Sequence, residues 1–225
     1  MTTLFISGID TDIGKTVACG ALAKTILDQG YKLFTQKWVE TGAKDVSLDL
    51  LTHESIVSRR FNTHDLNHHT PYRFTFPASP HLSAKLENKE IDIDYIFEQT
   101  KRLSKNCEHL LIEGAGGLCV PLNAENVIID LVAQLELPLL LVTSGRLGSI
   151  NHTILSLELC WQRNINVRAI IYNQYPMQDE IITNNTRQYL QNYLRKQNKD
   201  TLWLELLNDS PSISLDSTQL QKLLK

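Results

Sequence analysis

The chain has 225 residues, 42% of them hydrophobic and 21% charged, with a formal net charge of −3. That length suits one large domain or two small ones and can bury a sizeable core. The near balance of charge gives no electrostatic reason to expect nucleic acid or an anionic membrane as partner. Cys19, Cys107, Cys119 and Cys160 contain no Cys-x-x-Cys pair. They read as reduced thiols, most of them core filler, in a cytoplasmic protein. The opening MTTLFISGID lacks the basic start and long apolar stretch of a signal peptide, and the longest apolar run, about Leu137–Val142, is far short of a membrane span.

Short apolar runs alternate with helical patterns along the chain. The strand expected first is Thr3–Ser7, followed by a helix over Thr16–Gln29 with Ala18, Leu22 and Ile26 on one stripe and Gly30 as its stop. Further strands are expected at Tyr31–Gln36, His109–Glu113, Leu137–Ser144, Val167–Asn173 and Leu202–Leu206. Helices fill the gaps at about Asp49–Arg59, Ile93–Lys105, Val127–Leu135, Ile150–Gln162 and Asp179–Lys196. Runs apolar on both faces, alternating with helices, indicate an α/β fold with a parallel sheet flanked by helices on both faces. No repeat or Gly/Ser-rich linker divides the sequence, so residues 1–225 are expected to form a single domain. Asn62–Leu82, with Pro71, Pro77 and Pro80, fits the alternation poorly and reads as an ordered excursion.

Ligands of such sheets gather at the carboxyl ends of the strands. Gly8–Thr16, Lys37–Gly42, Glu113–Gly117, Ser144–Ser149 and Asn173 are therefore expected to share one crevice. Gly8–Thr16 reads GIDTDIGKT between a strand and a helix. That is the context of a phosphate-binding P-loop, with five residues instead of the usual four between the first glycine and the second. Backbone N–H groups and the helix N-terminus would cradle phosphate oxygens. Lys15 would supply charge to the outer phosphates, and the Thr16 hydroxyl a Mg²⁺ ligand. Glu113 ends a strand before the small residues Gly114, Ala115, Gly116 and Gly117, where a carboxylate can hold Mg²⁺ or its water. Asp49 is a second carboxylate candidate, with an ordinary N-cap as the bland reading. Lys37 closes the second strand and would share the crevice with Lys15, suggesting stabilisation of charge developing on transfer. His64, His68 and His69 have helical metal-ligand spacing but no Cys or carboxylate array to complete a tetrahedral set. The stripe Tyr189, Leu190, Tyr193, Leu194 reads as core.

With these residues placed, the sequence resembles the dethiobiotin synthetases. GIDTDIGKT is similar to that family's phosphate loop, which has the same spacing, and Lys37 with Thr41-Gly42 to its catalytic-lysine segment. Pro71-Tyr72, Phe74, Pro77 and Ser79-Pro80-His81 resemble a stretch that accounts for the awkward excursion. Glu113–Gly117, Pro121-Leu122 and Leu147–His152 follow the family's later motifs in order.

The resemblance implies one ATP-binding synthetase domain of P-loop NTPase type. It would work as a homodimer on 7,8-diaminopelargonate, CO₂ and Mg-ATP. Lys15 and Lys37 would be catalytic. Nucleotide would be held by Asp12, Ile13, Gly14, Lys15, Thr16, Val17, Asp49, Glu113, Gly114, Ala115, Gly116 and Asn173, the last reading adenine. Thr16, Asp49 and Glu113 would hold Mg²⁺. Thr11, Lys37 and Thr41 would contact substrate, with Gly148, Ser149, Ile150 and Asn151 receiving its carboxylate across the dimer interface. Trp38 stands where the family commonly has proline, and Glu40 stands in place of a small residue and could pair with a lysine. Leu206–Asp209 lacks the proline of the family's adenine-facing loop.

The alternatives are a ParA/MinD-type partner-regulated ATPase, an amidotransferase-type synthetase and a small-molecule kinase. The first would carry a lysine early in the loop, where this chain has Ile9, Asp10 and Thr11. The second would need a glutaminase domain and the third a basic lid, and neither is evident.

Overall fold

A computed structural model describes residues 1–61, 66–175, 179–207 and 211–225. The strands are β1 (Thr2–Gly8), β2 (Leu33–Lys37), β3 (Val39–Thr41), β4 (Tyr72–Phe74), β5 (His109–Gly117), β6 (Leu139–Ser144), β7 (Val167–Asn173) and β8 (Leu202–Leu206). The helices are α1 (Lys15–Asp28), α2 (Leu48–Val57), α3 (Leu66–His69), α4 (Pro80–Leu86), α5 (Ile93–Ser104), α6 (Ile128–Gln134), α7 (Ser149–Gln162), α8 (Glu180–Lys196) and α9 (Ser217–Leu224).

Among the described residues, six parallel strands form one sheet in the order β2-β5-β1-β6-β7-β8. The chain enters at an inner strand, builds outward to β2 and returns through β5. It then crosses β1 to build the other side, which opens a crevice at the carboxyl ends of the inner strands. Successive residues of β1 and β6 are buried, so both faces of the sheet are covered. Leu4, Phe5, Ile6 and Leu139 through Val142 are fully buried. Each such side chain contributes about 1.5–3 kcal/mol, and together they hold rigid the strand ends that carry the polar groups.

The expected strands Val167–Asn173 and Leu202–Leu206 appear with those bounds and the other four with ends shifted by one to a few residues, β5 running on through Gly117. The Asn62–Leu82 excursion is ordered where described. β4 pairs in parallel with β3, aligning Val39 with Tyr72 and Thr41 with Phe74. This pair and α4 pin the segment after Lys37 against the body of the protein. Pro80 opens α4, where its missing N–H costs nothing.

Trp38 is fully buried, donates from Nε1 to Thr100 Oγ1 at 3.1 Å and packs on Phe5. His69 lies in the core beside Phe34 and Phe61, with Nδ1 2.8 Å from the Thr35 carbonyl oxygen. His64 lies outside the described residues. On α8, Leu190 and Leu194 are buried, Tyr193 stacks on Trp161, and Tyr189 is half exposed. All four cysteines are free. No described helix is long and apolar enough to cross a membrane. The C-terminal α9, capped by Asp216 and Gln219, buries Leu220 and Leu223 against the core.

Candidate active site

A cavity of about 810 Å³ opens at the carboxyl ends of β1, β2 and β5. Its wall includes Thr11, Asp12, Gly14, Lys15, Thr16 and Val17 from the loop and first turn of α1, Lys37 at the end of β2, and Glu40 and Thr41 from β3. Asp49 comes from α2, Glu113, Ala115 and Gly116 from β5, and Asn173 from β7. Ile13 and Gly114 stand just behind through their carbonyls, which accept from Asn173 Nδ2 at 2.9 Å and Lys37 Nζ at 3.1 Å. Gly148, Ser149, Ile150 and Asn151 are not in the wall, so the expected single crevice lacks its Ser144–Ser149 portion. Ser149 instead turns inward, buried at the start of α7 with its hydroxyl 3.2 Å from that of Ser144.

The loop is shaped by two left-handed residues, Asp12 at φ 55° and Gly14 at φ 93°. A Cβ on Gly14 would lie 2.3 Å from Asn173 Nδ2. Positive φ disfavours any L side chain by about 1–2 kcal/mol, and the clash adds to that. Gly14→Ala is expected to weaken ADP binding roughly tenfold or more, equivalent to about 1.4 kcal/mol, measured by titration calorimetry. Asn173 also accepts from the Tyr175 N–H at 3.0 Å. Its amide keeps one N–H and one lone pair for a ligand.

The buried Lys15 reaches back to donate to the Asp10 carbonyl at 2.9 Å. Burial, then repulsion from Lys37, lowers its pKa to about 8. Phosphates would restore the charged form. ATP binding at about pH 9 is therefore expected to take up close to one proton, and at about pH 6.5 almost none. Calorimetry in buffers of different ionisation enthalpy reads this directly.

At the centre, register sets the geometry. Lys37 on β2 lies opposite Glu113 on β5. Lys37 Nζ is 2.8 Å from Glu113 Oε1 and 2.5 Å from Asp49 Oδ2. The Thr16 hydroxyl oxygen is 2.9 Å from Glu113 Oε1 and 3.0 Å from Asp49 Oδ1. One hydroxyl proton cannot satisfy both carboxylates at once. Three hard oxygens converging in this way suit a small divalent cation such as Mg²⁺. Burial opposes the charge on Lys37, but Glu113 and Asp49 outweigh it and raise its pKa. Burial likewise opposes the charge on Glu113, and Lys37 with His53 holds it well below the usual carboxylate range.

Among the described residues, Glu40 has no lysine within ion-pair distance. Its carboxylate accepts from the Ser47 hydroxyl and, at 2.6 and 3.3 Å, from the Leu48 and Asp49 N–H groups. It thus compensates the exposed donors at the start of α2 and fixes where Asp49 emerges. Burial raises its pKa, with Ser47 pulling the other way. The side-chain N-cap of α2 is Ser47, which accepts from the Leu50 N–H at 3.1 Å, so the N-cap reading of Asp49 fails.

Sequence reasoning missed the wall residues Leu48, Thr52, Ile56, Tyr175 and Pro211, whereas Val39 falls within Lys37–Gly42 and Leu206 and Leu207 within Leu206–Asp209. Pro211 puts a proline in the wall although Leu206–Asp209 contains none, and residues 208–210 lie outside the described ones. The other omission was His53. Its Nε2 lies 3.0 Å from Glu113 Oε2 and its Nδ1 3.1 Å from Thr35 Oγ1, fully buried. Burial opposes charging of its ring, but the neighbouring Cys19 sulfur and Glu113 carboxylate raise its pKa to about 10. The available signal was spacing, since His53 follows Asp49 by four residues on one helix face.

A family model described as an AAA domain matches residues 2–202. The chain is 45% identical over 202 residues to ATP-dependent dethiobiotin synthetase BioD 2 of Haemophilus ducreyi, covering 89% of this chain and 96% of that protein. It is 46% identical over 200 residues to the BioD 2 enzyme of Pasteurella multocida, covering 88% and 94%. Among solved structures, the MinC:MinD cell division complex of Aquifex aeolicus matches with a TM-score of 0.52 at 13% identity, covering 89% of this chain and 79% of that one. That likeness shows a shared P-loop sheet. The two sequence relatives, matched over 89% and 88% of this chain, show more: the chain belongs to the ATP-dependent dethiobiotin synthetase family.

Proposed function

We propose that the chain closes the ureido ring of dethiobiotin from 7,8-diaminopelargonate, CO₂ and ATP, releasing ADP and phosphate. The observation that carries this reading is the meeting of Lys15 and Lys37 with Thr16, Asp49 and Glu113 in one cavity at the ends of three adjacent strands. One substrate amine adds to CO₂ and loses a proton, giving a carbamate. The carbamate oxygen takes the γ-phosphoryl group of ATP, and ADP leaves. The second amine then attacks the carbamoyl carbon, expels phosphate, and loses its proton as the ring closes.

Lys15 and the loop N–H groups hold the outer phosphates, and Lys37 offsets the charge shared by carbamate and phosphoryl group. Thr16, Asp49 and Glu113 would hold Mg²⁺, which supplies further neutralisation of phosphate charge. Thr11 and Thr41 contact the substrate, and Asn173 reads the base. Lys37 is already offset by two carboxylates, so its power to keep the substrate amine uncharged grows when a cation takes up their charge.

The working unit is a homodimer in the cytoplasm. Gly148–Asn151 do not line their own cavity, while Leu147 at 86% and Leu155 at 60% exposure nearby suit a covered face. From a partner, those N–H groups at the start of α7 would receive the substrate carboxylate.

The test is incubation with 7,8-diaminopelargonate, labelled bicarbonate and Mg-ATP. Labelled cyclic urea is the expected product. Phosphate release without incorporated label would point to a ParA/MinD-type ATPase instead.

A further inference from the structure

Glu113 is asked to do several things at once. It meets Lys37 and Thr16 through Oε1, while Oε2 turns away from the cavity into the fold. A carboxylate free to rotate would present either oxygen in any direction. Among the described residues, the hydrogen-bond partner of Oε2 is His53 Nε2 at 3.0 Å. The opposite ring nitrogen lies 3.1 Å from Thr35 Oγ1 on β2, so the imidazole is gripped at both ends. His53 and Glu113 are both fully buried, so bulk solvent does not compete for Oε2.

The helix carrying His53 is also closely seated. At Gly20 of α1, a Cβ would lie 2.7 Å from Ile56 Cδ1 and 3.4 Å from His53 Cα. A glycine there lets α1 and α2 approach far enough for the ring to reach β5. Asp49, four residues earlier on α2, delivers a second carboxylate to the same place. One helix thus brings a cavity carboxylate and, one turn on, the group that orients the other.

We propose that His53 is a positioning residue: by holding Glu113 Oε2 from behind, it fixes Oε1 toward Thr16 and Asp49 and tunes divalent-cation affinity. This rests on the reading of Thr16, Asp49 and Glu113 as the Mg²⁺ ligands. Partners behind a metal ligand set its orientation, and their loss commonly costs 10–100-fold in metal affinity or activity. A ring that merely filled a buried space would be replaceable by any apolar side chain of similar size.

The experiment measures Mn²⁺ binding, as a paramagnetic stand-in for Mg²⁺, by electron paramagnetic resonance in the presence of ADP. Metal-free ADP binding is measured alongside. His53→Leu is expected to weaken Mn²⁺ binding about 10–100-fold with metal-free ADP binding unchanged. His53→Gln, whose amide nitrogen can stand near the position of Nε2, is expected to recover most of the loss. Wild-type Mn²⁺ affinity in His53→Leu overturns the proposal. So does His53→Gln binding as weakly as His53→Leu while still holding ADP. Should His53→Leu lose metal-free ADP binding too, the decision passes to His53→Gln against His53→Asn, whose shorter amide stops short of Oε2. Equal Mn²⁺ affinity in those two overturns the proposal. Asp49→Asn separates this idea from its foundation. If it weakens Mn²⁺ binding while His53→Leu does not, the metal site stands and His53 falls. If Asp49→Asn binds Mn²⁺ as wild type does, both fall.

Discussion

Lys37→Gln is expected to lower kcat about 10²–10³-fold, the usual effect of removing a group aimed at transition-state charge. The KM for ATP should move far less, because Lys15 and the loop remain. Glutamine, one atom shorter, keeps an amide donor but not the charge between Asp49 Oδ2 and Glu113 Oε1. A second readout comes from pH. An alkyl amine must lose a proton before it can add to CO₂, and a nearby cation disfavours its ammonium form. At about 5 Å and an effective dielectric of 20, one lysine charge contributes about 3 kcal/mol, roughly a hundredfold in the amine-to-ammonium ratio. The two carboxylates oppose this until a cation compensates them. At saturating Mg²⁺, Lys37→Gln should therefore recover part of its activity as pH rises. Wild-type turnover would remove Lys37 from catalysis. Lost turnover with an unchanged pH profile would remove only its effect on the substrate amine.

The sheet was legible because its strands are buried on both faces and say so in their composition. The LFIS run of β1, HLLIE of β5 and LLLVTS of β6 have no alternation that could be mistaken for a half-exposed sheet. The loop and its lysine were legible because strand, glycines, Lys15 and helix are contiguous. β3 and β4 were not, since three residues carry no period and their pairing depends on each other across 30 residues of sequence.

Glu40 shows a different limit. Its charge suggested a lysine partner, but the Leu48 and Asp49 N–H groups at the start of α2 take that carboxylate instead. His53 was obscured because one histidine on a helix most often fills space, and only the β5 register places Glu113 behind it. Gly148–Asn151 expose the limit of reading one chain: the role proposed for them depends on a second copy, and they do not line their own chain's cavity.

Glu113→Gln should be the most damaging single change to the fold at this site. The wild-type carboxylate is fully buried and faces Lys37 on one oxygen and His53 on the other. Glutamine keeps the shape but leaves the buried cations with less compensation. Removing one partner of a buried pair costs about 3–5 kcal/mol. In a chain of this size that lowers Tm by roughly 6–20 °C, measured by scanning calorimetry without divalent cation.

The pH dependence has a definite sign. A carboxylate depressed on folding stabilises above its unfolded pKa near 4.3 and loses that contribution as pH falls. A histidine raised to about 10 on folding stabilises fully below its unfolded value near 6.5 and loses that contribution as pH rises toward 10. The stability gap between wild type and Glu113→Gln should therefore be widest at about pH 5–6 and narrow toward about pH 10. A gap independent of pH would mean that packing, not the charges of Lys37, His53 and Glu113, sets the stability of the site. A Tm equal to wild type would remove Glu113 as the group that holds β2, α2 and β5 together at the cavity floor.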